Sequence, residues 1–217
     1  MTALLELAGV TKHWGGDLTV LDGVDLAVPG GALACIAGDN GVGKTTLLRI
    51  ATGVLAPDRG SVRLAGRAPD RDRRAFHRSL GFLPAGDRGL YARLSARQNL
   101  DFAAGIAFLR GGARRDAVAA AVDRFGLSAF ADRRVDRLSM GQRQRVRLAM
   151  TLLHEPGVVL LDEPRTSLDE DGMQLLGDAL DRVTAGGGAV LWCAPSVESG
   201  LPFDAAYELR DGKLRPW

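Results

Sequence analysis

Residues 38–46 read G-D-N-G-V-G-K-T-T, and this stretch restricts the fold more than any other part of the chain. It follows A-L-A-C-I-A (Ala32 to Ala37), an apolar run short enough to be a buried strand. It leads into T-L-L-R-I-A (Thr46 to Ala51), whose apolar positions have helical spacing. Strand, glycine loop and helix in this order form a phosphate-binding unit. Gly38, Gly41 and Gly43 let the backbone turn tightly, so that successive N–H groups and the positive end of the helix converge on one anion. The predicted cradle for a nucleoside triphosphate is Gly38, Asp39, Asn40, Gly41, Val42, Gly43, Lys44, Thr45 and Thr46. Lys44 would reach the outer phosphates, and the Thr45 hydroxyl would ligate Mg²⁺.

A second motif, V-V-L-L-D-E, covers Val158 to Glu163. Four aliphatic residues predict a buried strand, and a carboxylate at its C-terminal end faces the crevice where ligands bind in open α/β sheets. Asp162 would hold Mg²⁺ directly or through water. Glu163 could polarise an attacking water, because hydrolysis needs a base near the γ-phosphate.

At 217 residues the chain can bury one sizeable core, and 46% apolar with 25% charged residues places it among globular proteins. Net charge is +2, and arginines are interleaved with acids, as in Arg71-Asp72-Arg73-Arg74. Such a run reads as a solvated face, so no nucleic-acid partner is expected. Cys35 and Cys193 each sit inside an apolar run and read as small buried hydrophobes rather than a disulfide or metal site. The N-terminal M-T-A-L-L-E-L has an early acid and no basic segment, so a signal peptide is not expected. Aliphatic stretches such as Ala103 to Leu109 fall short of the about 20 residues that span a bilayer. A soluble, cytoplasmic chain is expected.

Leu4 to Val28 alternates apolar and polar residues, predicting antiparallel strands with one exposed face, closed by Pro29-Gly30-Gly31. Pro57-Asp58-Arg59-Gly60 is a turn before a strand at Ser61 to Ala65. From about Leu94 to Leu153 the pattern is helical. Ser95 is the expected cap of one helix, and Arg114 to Phe125 form another that ends at Gly126. Strand and helix alternation then resumes, with a helix at Glu170 to Thr184 and a strand at Ala189 to Cys193. Asp211-Gly212 marks a closing hairpin.

Leu138 to Met150 reads L-S-M-G-Q-R-Q-R-V-R-L-A-M. Alone, a serine cap before an amphipathic helix would account for it. In order with the other two motifs, it resembles the signature motif of ATP-binding cassette (ABC) ATPases, at the interval before Asp162 usual in that family. The resemblance covers essentially the whole chain and implies an α/β fold: a P-loop NTPase core with an antiparallel β subdomain and an inserted α-helical subdomain. A single domain over 1–217 is implied, with core and β subdomain at about 1–84 and 157–217 and the helical subdomain at about 85–156.

The family's site residues carry over as follows. Ser139, Gly141 and Gln142 would contact the γ-phosphate of ATP held by a second subunit, with a hydroxyl and N–H groups at a helix N-terminus. Trp14, in K-H-W-G-G, occupies the place of the aromatic that stacks on adenine, although a core tryptophan is the plainer alternative. Asp169, in S-L-D, belongs to the loop by which two subunits touch across the nucleotide. R-Q-N-L-D-F (Arg97 to Phe102) is similar to a segment of exporter ATPases whose membrane domains are separate chains. Few residues follow the last hairpin, which implies that the regulatory domain of some import ATPases is absent.

Two positions depart from the family pattern. Ala85 stands after the strand G-F-L-P (Gly81 to Pro84), where a glutamine is usual, and Pro195 stands where a histidine is usual. Asp87 or Ser196 could substitute. The implied function is the ATP-hydrolysing subunit of an ABC transporter, using ATP and Mg²⁺, at the cytoplasmic face of the membrane. Its partners would be a second ABC ATPase subunit, as a homo- or heterodimer, and transmembrane permease subunits. The alternatives are a non-transport cassette ATPase and a degenerate partner subunit with weak hydrolysis. A GTPase is not expected, because no N-K-x-D segment occurs.

Overall fold

The computed structural model describes residues 3–16, 18–197 and 201–217. The first half contains β1 (Ala3–Trp14), β2 (Leu18–Pro29), β3 (Leu33–Ala37), α1 (Lys44–Ala51), β4 (Arg59–Leu64), α2 (Arg73–Arg78) and β5 (Leu80–Leu83). Then come α3 (Ala96–Ile106), α4 (Gly111–Arg124) and α5 (Met140–Leu152). The chain closes with β6 (Val158–Asp162), α6 (Glu170–Ala185), β7 (Ala189–Ala194), β8 (Ala205–Arg210) and β9 (Lys213–Pro216).

Two sheets result. The alternating N-terminal segment folds into an antiparallel sheet in the order β2-β1-β4. The second sheet runs β5-β6-β7-β3-β8-β9 and is parallel except for β9. Its central strands β3, β6 and β7 are buried at every position because both faces are covered, and all but Asp162 of their residues are apolar. On one face Leu33, Cys35, Val159, Leu161, Val190 and Trp192 pack against α3, α4, α5 and α6. On the other, Ala34, Ile36, Leu160, Leu191 and Cys193 pack against α1 and the antiparallel sheet. The period of two along a strand thus sends Cys35 and Cys193 to opposite faces. Both side chains are buried, as expected for small hydrophobes, and neither is in a disulfide among the described residues.

Local signals explain the element ends. Ser95 and Ser139 each close a capping box, with Gln98 and Gln142 returning the bond. Asp211 (φ 51°) and Gly212 (φ 73°) are both left-handed, the geometry of a type I′ turn between paired antiparallel strands. Some boundaries differ from the sequence expectation, as where β4 starts at Arg59, inside the stretch read as a turn. Helix α1 starts at Lys44 rather than Thr46, and α4 starts at Gly111 rather than Arg114. The run around Arg71 to Arg74 is exposed along its length, as read, and its second half also opens α2, a helix the pattern did not announce. There Asp72 accepts the Ala75 N–H at 3.0 Å, and Phe76 is fully buried. One aromatic anchor and one cap are enough to order a helix whose arginines still face solvent.

No helix among the described residues is long and apolar enough to cross a membrane.

Candidate functional site

The loop after β3 packs too closely for a side chain at Gly38 and Gly43, whereas Gly41 faces open space. A Cβ on Gly38 would lie 2.6 Å from the Leu209 carbonyl oxygen. Gly43 has φ 117°, and a Cβ there would lie 2.8 Å from Val20 Cγ1. Gly43 is also the N-cap of α1 and supplies no side-chain cap. The N–H groups of Lys44, Thr45 and Thr46 accordingly have no acceptor among the described residues. Unpaired first-turn amides and the positive end of the helix dipole make an anion site.

Lys44 is only 4% exposed, and its Nζ donates to the carbonyls of Gly38 (2.5 Å) and Asp39 (2.9 Å). The ammonium therefore lies within the loop itself. Thr45 Oγ1 donates to Asp162 Oδ2 at 2.8 Å across 117 positions of sequence, and Asp162 is buried at the end of β6. A hydroxyl and a carboxylate are hard oxygen donors. No group of three or more His, Cys, Asp or Glu suited to a metal occurs among the described residues. This fits Mg²⁺, which takes one or two protein ligands and completes its shell with phosphate oxygens and water.

Glu163 follows Asp162 with φ 50°, a strained conformation for a residue with a side chain. Its N–H donates to the Cys193 carbonyl at 2.9 Å, which pins the backbone against β7. Its carboxylate makes no hydrogen bond or ion pair among the described residues and is partly exposed. Pro195 reaches this place through its backbone, accepting from the Gly38 N–H at 3.3 Å. Ser196 beside it is exposed. Ala85 is partly buried, and Asp87 accepts from Arg143 Nη1 of α5 at 2.8 Å.

The predicted residues around Ser139 form a second cluster. Ser139 Oγ accepts from the Gln142 N–H at 3.2 Å, and Gln142 Oε1 accepts from the Ser139 N–H at 3.1 Å. A Cβ on Gly141 would come within 3.2 Å of the Ser167 carbonyl, so the signature segment abuts the S-L-D loop. Asp169 caps α6 by accepting from Gly172 N–H and from Arg145 Nη2, each at 2.8 Å. The Arg145 guanidinium, followed by that N–H, holds the Asp169 carboxyl below the usual range. Among the described residues no hydrogen bond joins this cluster to the 38–46 loop.

Trp14 ends β1 and is 45% exposed rather than a core residue. Lys12 Nζ stands 5.5 Å from its ring centroid and is tethered to Asp58 Oδ1 at 2.7 Å. The Lys12 ammonium first, and then the His13 N–H at 2.7 Å, hold the Asp58 carboxyl down at about 2.

One part escaped the sequence reading. Gln144 and Arg147 are 5% and 6% exposed on α5. Gln144 Nε2 donates to the Pro164 carbonyl at 2.9 Å, directly after Glu163. Arg147 Nη1 donates to Gln144 Oε1 (2.5 Å), Nε donates to the Arg88 carbonyl (2.9 Å), and Nη2 donates to the Pro84 carbonyl. A continuous chain of hydrogen bonds thus ties the segment after β5 to the segment after β6. Burial pulls the Arg147 guanidinium below its ordinary pKa. The available signal was periodicity, since Gln144 and Arg147 share the inward face of α5 with Leu148 and Thr151.

Comparison with known proteins agrees with this geometry. The chain is 34% identical over 213 residues to "Probable multidrug ABC transporter ATP-binding protein YbhF" of Escherichia coli, covering 98% of this chain and 37% of that one. It therefore spans little more than a third of that relative. It is 39% identical over 185 residues to "Cytochrome c biogenesis ATP-binding export protein CcmA" of Xanthomonas axonopodis, covering 82% and 83% of the two chains. The solved cbiO1 of Clostridium perfringens, described as part of the ABC transporter complex cbiONQ, superposes with a TM-score of 0.82 at 26% identity, covering 99% of this chain and 87% of that one. The family profile described as "ABC transporter" matches residues 21–166, which include the glycine loop, the signature segment and the Asp162-Glu163 pair. With these three motifs in one fold and that match across them, the chain belongs to the ABC transporter family.

Proposed function

We propose that this chain is the ATP-binding and ATP-hydrolysing subunit of an ABC transporter. The observation that carries this reading is the bond from Thr45 to the buried Asp162, made beside a loop with unpaired amides and a buried lysine. In this reading residues 38–46 wrap the phosphates, Lys44 neutralises the outer ones, and Trp14 stacks on adenine. Thr45 and Asp162 would hold Mg²⁺, which when bound offsets phosphate charge. Glu163 takes the proton of the attacking water, a role suited to a carboxylate with no competing partner.

Ser139, Gly141, Gln142 and Asp169 act on the nucleotide of a second subunit, a reading supported by the absence, among the described residues, of any hydrogen bond between them and their own chain's loop. Two subunits then close head to tail around two ATPs, and hydrolysis with product release reopens them. The nucleotide-binding part is assigned to about 1–84 and 157–217, and the part that carries motion to membrane subunits to about 85–156. The chain works at the cytoplasmic face of the membrane, bound to permease subunits. A relative within a named transporter complex supports that assembly.

Hydrolysis is slow in this proposal, because Ala85 and Pro195 offer no polar side chain to the γ-phosphate. Losing one preorganised transition-state contact lowers a rate by about 10²–10³. Asp87 is held by Arg143 and leaves that deficit unfilled. The same two positions favour a second reading, a partner subunit that mainly binds nucleotide and completes the site of a heterodimer.

Calorimetry tests the primary claim. Wild-type chain binds Mg-ATP, and Lys44→Ala weakens binding on the order of 100-fold as the phosphates lose a charged donor. Equal affinity of the two proteins rejects the phosphate-loop reading.

A further inference from the structure

The chain has three lysines. Lys213 faces solvent and Lys44 lies inside the glycine loop, but Lys12 fits neither pattern. Its side chain is only 13% exposed, whereas the neighbouring Trp14 is 45% exposed. The burial is the reverse of what the two side chains favour alone, since a lysine normally keeps its head in water and an indole prefers cover. The surroundings must hold the ammonium in and leave the ring out.

Asp58 provides that hold. One carboxylate oxygen accepts from Lys12 Nζ at 2.7 Å, and the other accepts from the His13 N–H at 2.7 Å with His13 Nδ1 at 3.2 Å. The Asp58 N–H donates in turn to the Thr11 carbonyl at 2.9 Å, so the acid is fixed to three consecutive residues of β1. Lys12 Nζ then stands over the Trp14 ring, 5.5 Å from its centroid and within cation–π range. The ammonium covers one face of the indole, which leaves the open area to the other face and the edge. With its charge matched by Asp58 and its head over the ring, Lys12 is not placed as a phosphate ligand. The strand end itself is anchored beside the glycine loop. Trp14 pairs with Leu18, and Val20, two residues further on, lies 2.8 Å from where a Cβ on Gly43 would sit.

We infer that Lys12 is a positioning residue for the nucleotide base: tethered by Asp58, it backs one face of Trp14 and presents the opposite face to a purine ring. The resulting order is ammonium, indole, base. A cation on one side draws π density towards itself and weakens the repulsion between the far face and a second π system. Fixing the indole before the base arrives also lowers the ordering cost of stacking. The inference rests on the ATP-binding reading and adds the group that prepares the base platform.

Calorimetry of the full chain with two probes, Mg-ATP and inorganic tripolyphosphate with Mg²⁺, tests it. Lys12→Met keeps the aliphatic stem and removes the cation, and is expected to weaken Mg-ATP about two- to fivefold. Tripolyphosphate has no base, so its affinity should be the same in wild type and Lys12→Met, which also shows that the variant keeps a folded phosphate loop. Trp14→Ala should weaken Mg-ATP on the order of tenfold. Adding Lys12→Met to Trp14→Ala should cost nothing more, because the lysine acts through the ring. Lys12→Arg should stay within about twofold of wild type, since a guanidinium both stacks on aromatic faces and pairs with a carboxylate. Unchanged Mg-ATP affinity in Lys12→Met, equal losses of Mg-ATP and tripolyphosphate, additive losses in the double variant, or an Arg variant as weak as the Met variant each overturns the inference. If Trp14→Ala weakens Mg-ATP and any of these results is found, the role of Lys12 alone fails. If Trp14→Ala binds Mg-ATP like wild type, base stacking on Trp14 fails with it, and a wild-type chain that binds no Mg-ATP rejects the ATP-binding reading as well.

Discussion

Glu163 combines a left-handed backbone with a carboxylate that has no hydrogen-bond partner among the described residues. Strain of this kind is worth about 1–3 kcal/mol and persists only where neighbours impose it. Here the Cys193 carbonyl does so by accepting the Glu163 N–H. Pro195 and Ala85, where the family pattern has polar side chains, carry none. Restoring Ala85→Gln together with Pro195→His is therefore expected to raise turnover on the order of 10²-fold. Neither change disturbs a native bond, because Pro195 contributes its backbone carbonyl to Gly38 and Ala85 has no side-chain donor. Steady-state phosphate release measures it, and an unchanged rate would mean that other groups already serve the γ-phosphate. Glu163 was legible in sequence as the residue after Asp162 in the V-V-L-L-D-E run, whereas Ala85 and Pro195 were singled out only by the family resemblance. The pinned conformation of Glu163 was not, because it depends on a carbonyl of another strand.

At the scale of elements, α5 is the strut of the molecule. Gln144 and Arg147 span from Pro84 to Pro164 by hydrogen bonds alone. Arg147→Met keeps length and removes the donors, leaving the Pro84 and Arg88 carbonyls short of a partner. The expected loss is about 1–3 kcal/mol of unfolding free energy, read from the denaturant midpoint. Arg147→Lys should recover part of it, because one ammonium cannot reach three acceptors at once. A second expectation concerns the end of β1. The Asp58 carboxyl lies at about 2 against an ordinary 3.8, so its tether to Lys12 is complete above the ordinary value and is lost as pH falls through about 2. The Trp14 indole resonance should follow that titration by NMR, through the Lys12 ammonium over its ring. In Asp58→Asn it should stay constant over the same range. Capping boxes at Ser95 and Ser139 and the Asp211-Gly212 turn were readable because their partners lie within a few residues. Helix α2 was missed because its anchor, Phe76, has meaning only against a core contributed by other strands.

At the scale of the whole molecule, β7 lies between β3 and β6, so the glycine loop and the Asp162-Glu163 pair approach each other over the C-terminal edge of one sheet. The Ser139 cluster instead forms contacts with the S-L-D loop. A subunit arranged in this way is expected to complete its sites only with a second copy or a related chain. Glu163→Gln keeps the shape and removes the proposed base, so sedimentation should show a dimer with Mg-ATP and a monomer after chelation of Mg²⁺. A monomer at saturating Mg-ATP, both alone and with the permease present, would count against the head-to-tail assembly.

The chain announces its phosphate loop, its buried strands and its capped helices through local pattern alone. Glycine torsions, side-chain periods and serine caps act over one to four residues and need no distant partner. The pairing of Thr45 with Asp162, the place of β7 between β3 and β6, the Gln144–Arg147 bridge and the Asp58 tether of Lys12 belong to tertiary structure. Each joins segments far apart in sequence, and closing those loops is entropically unfavourable until the packed core compensates for it. No single segment carries that compensation, so only the assembled sheet, buried on both faces, decides which distant side chains meet.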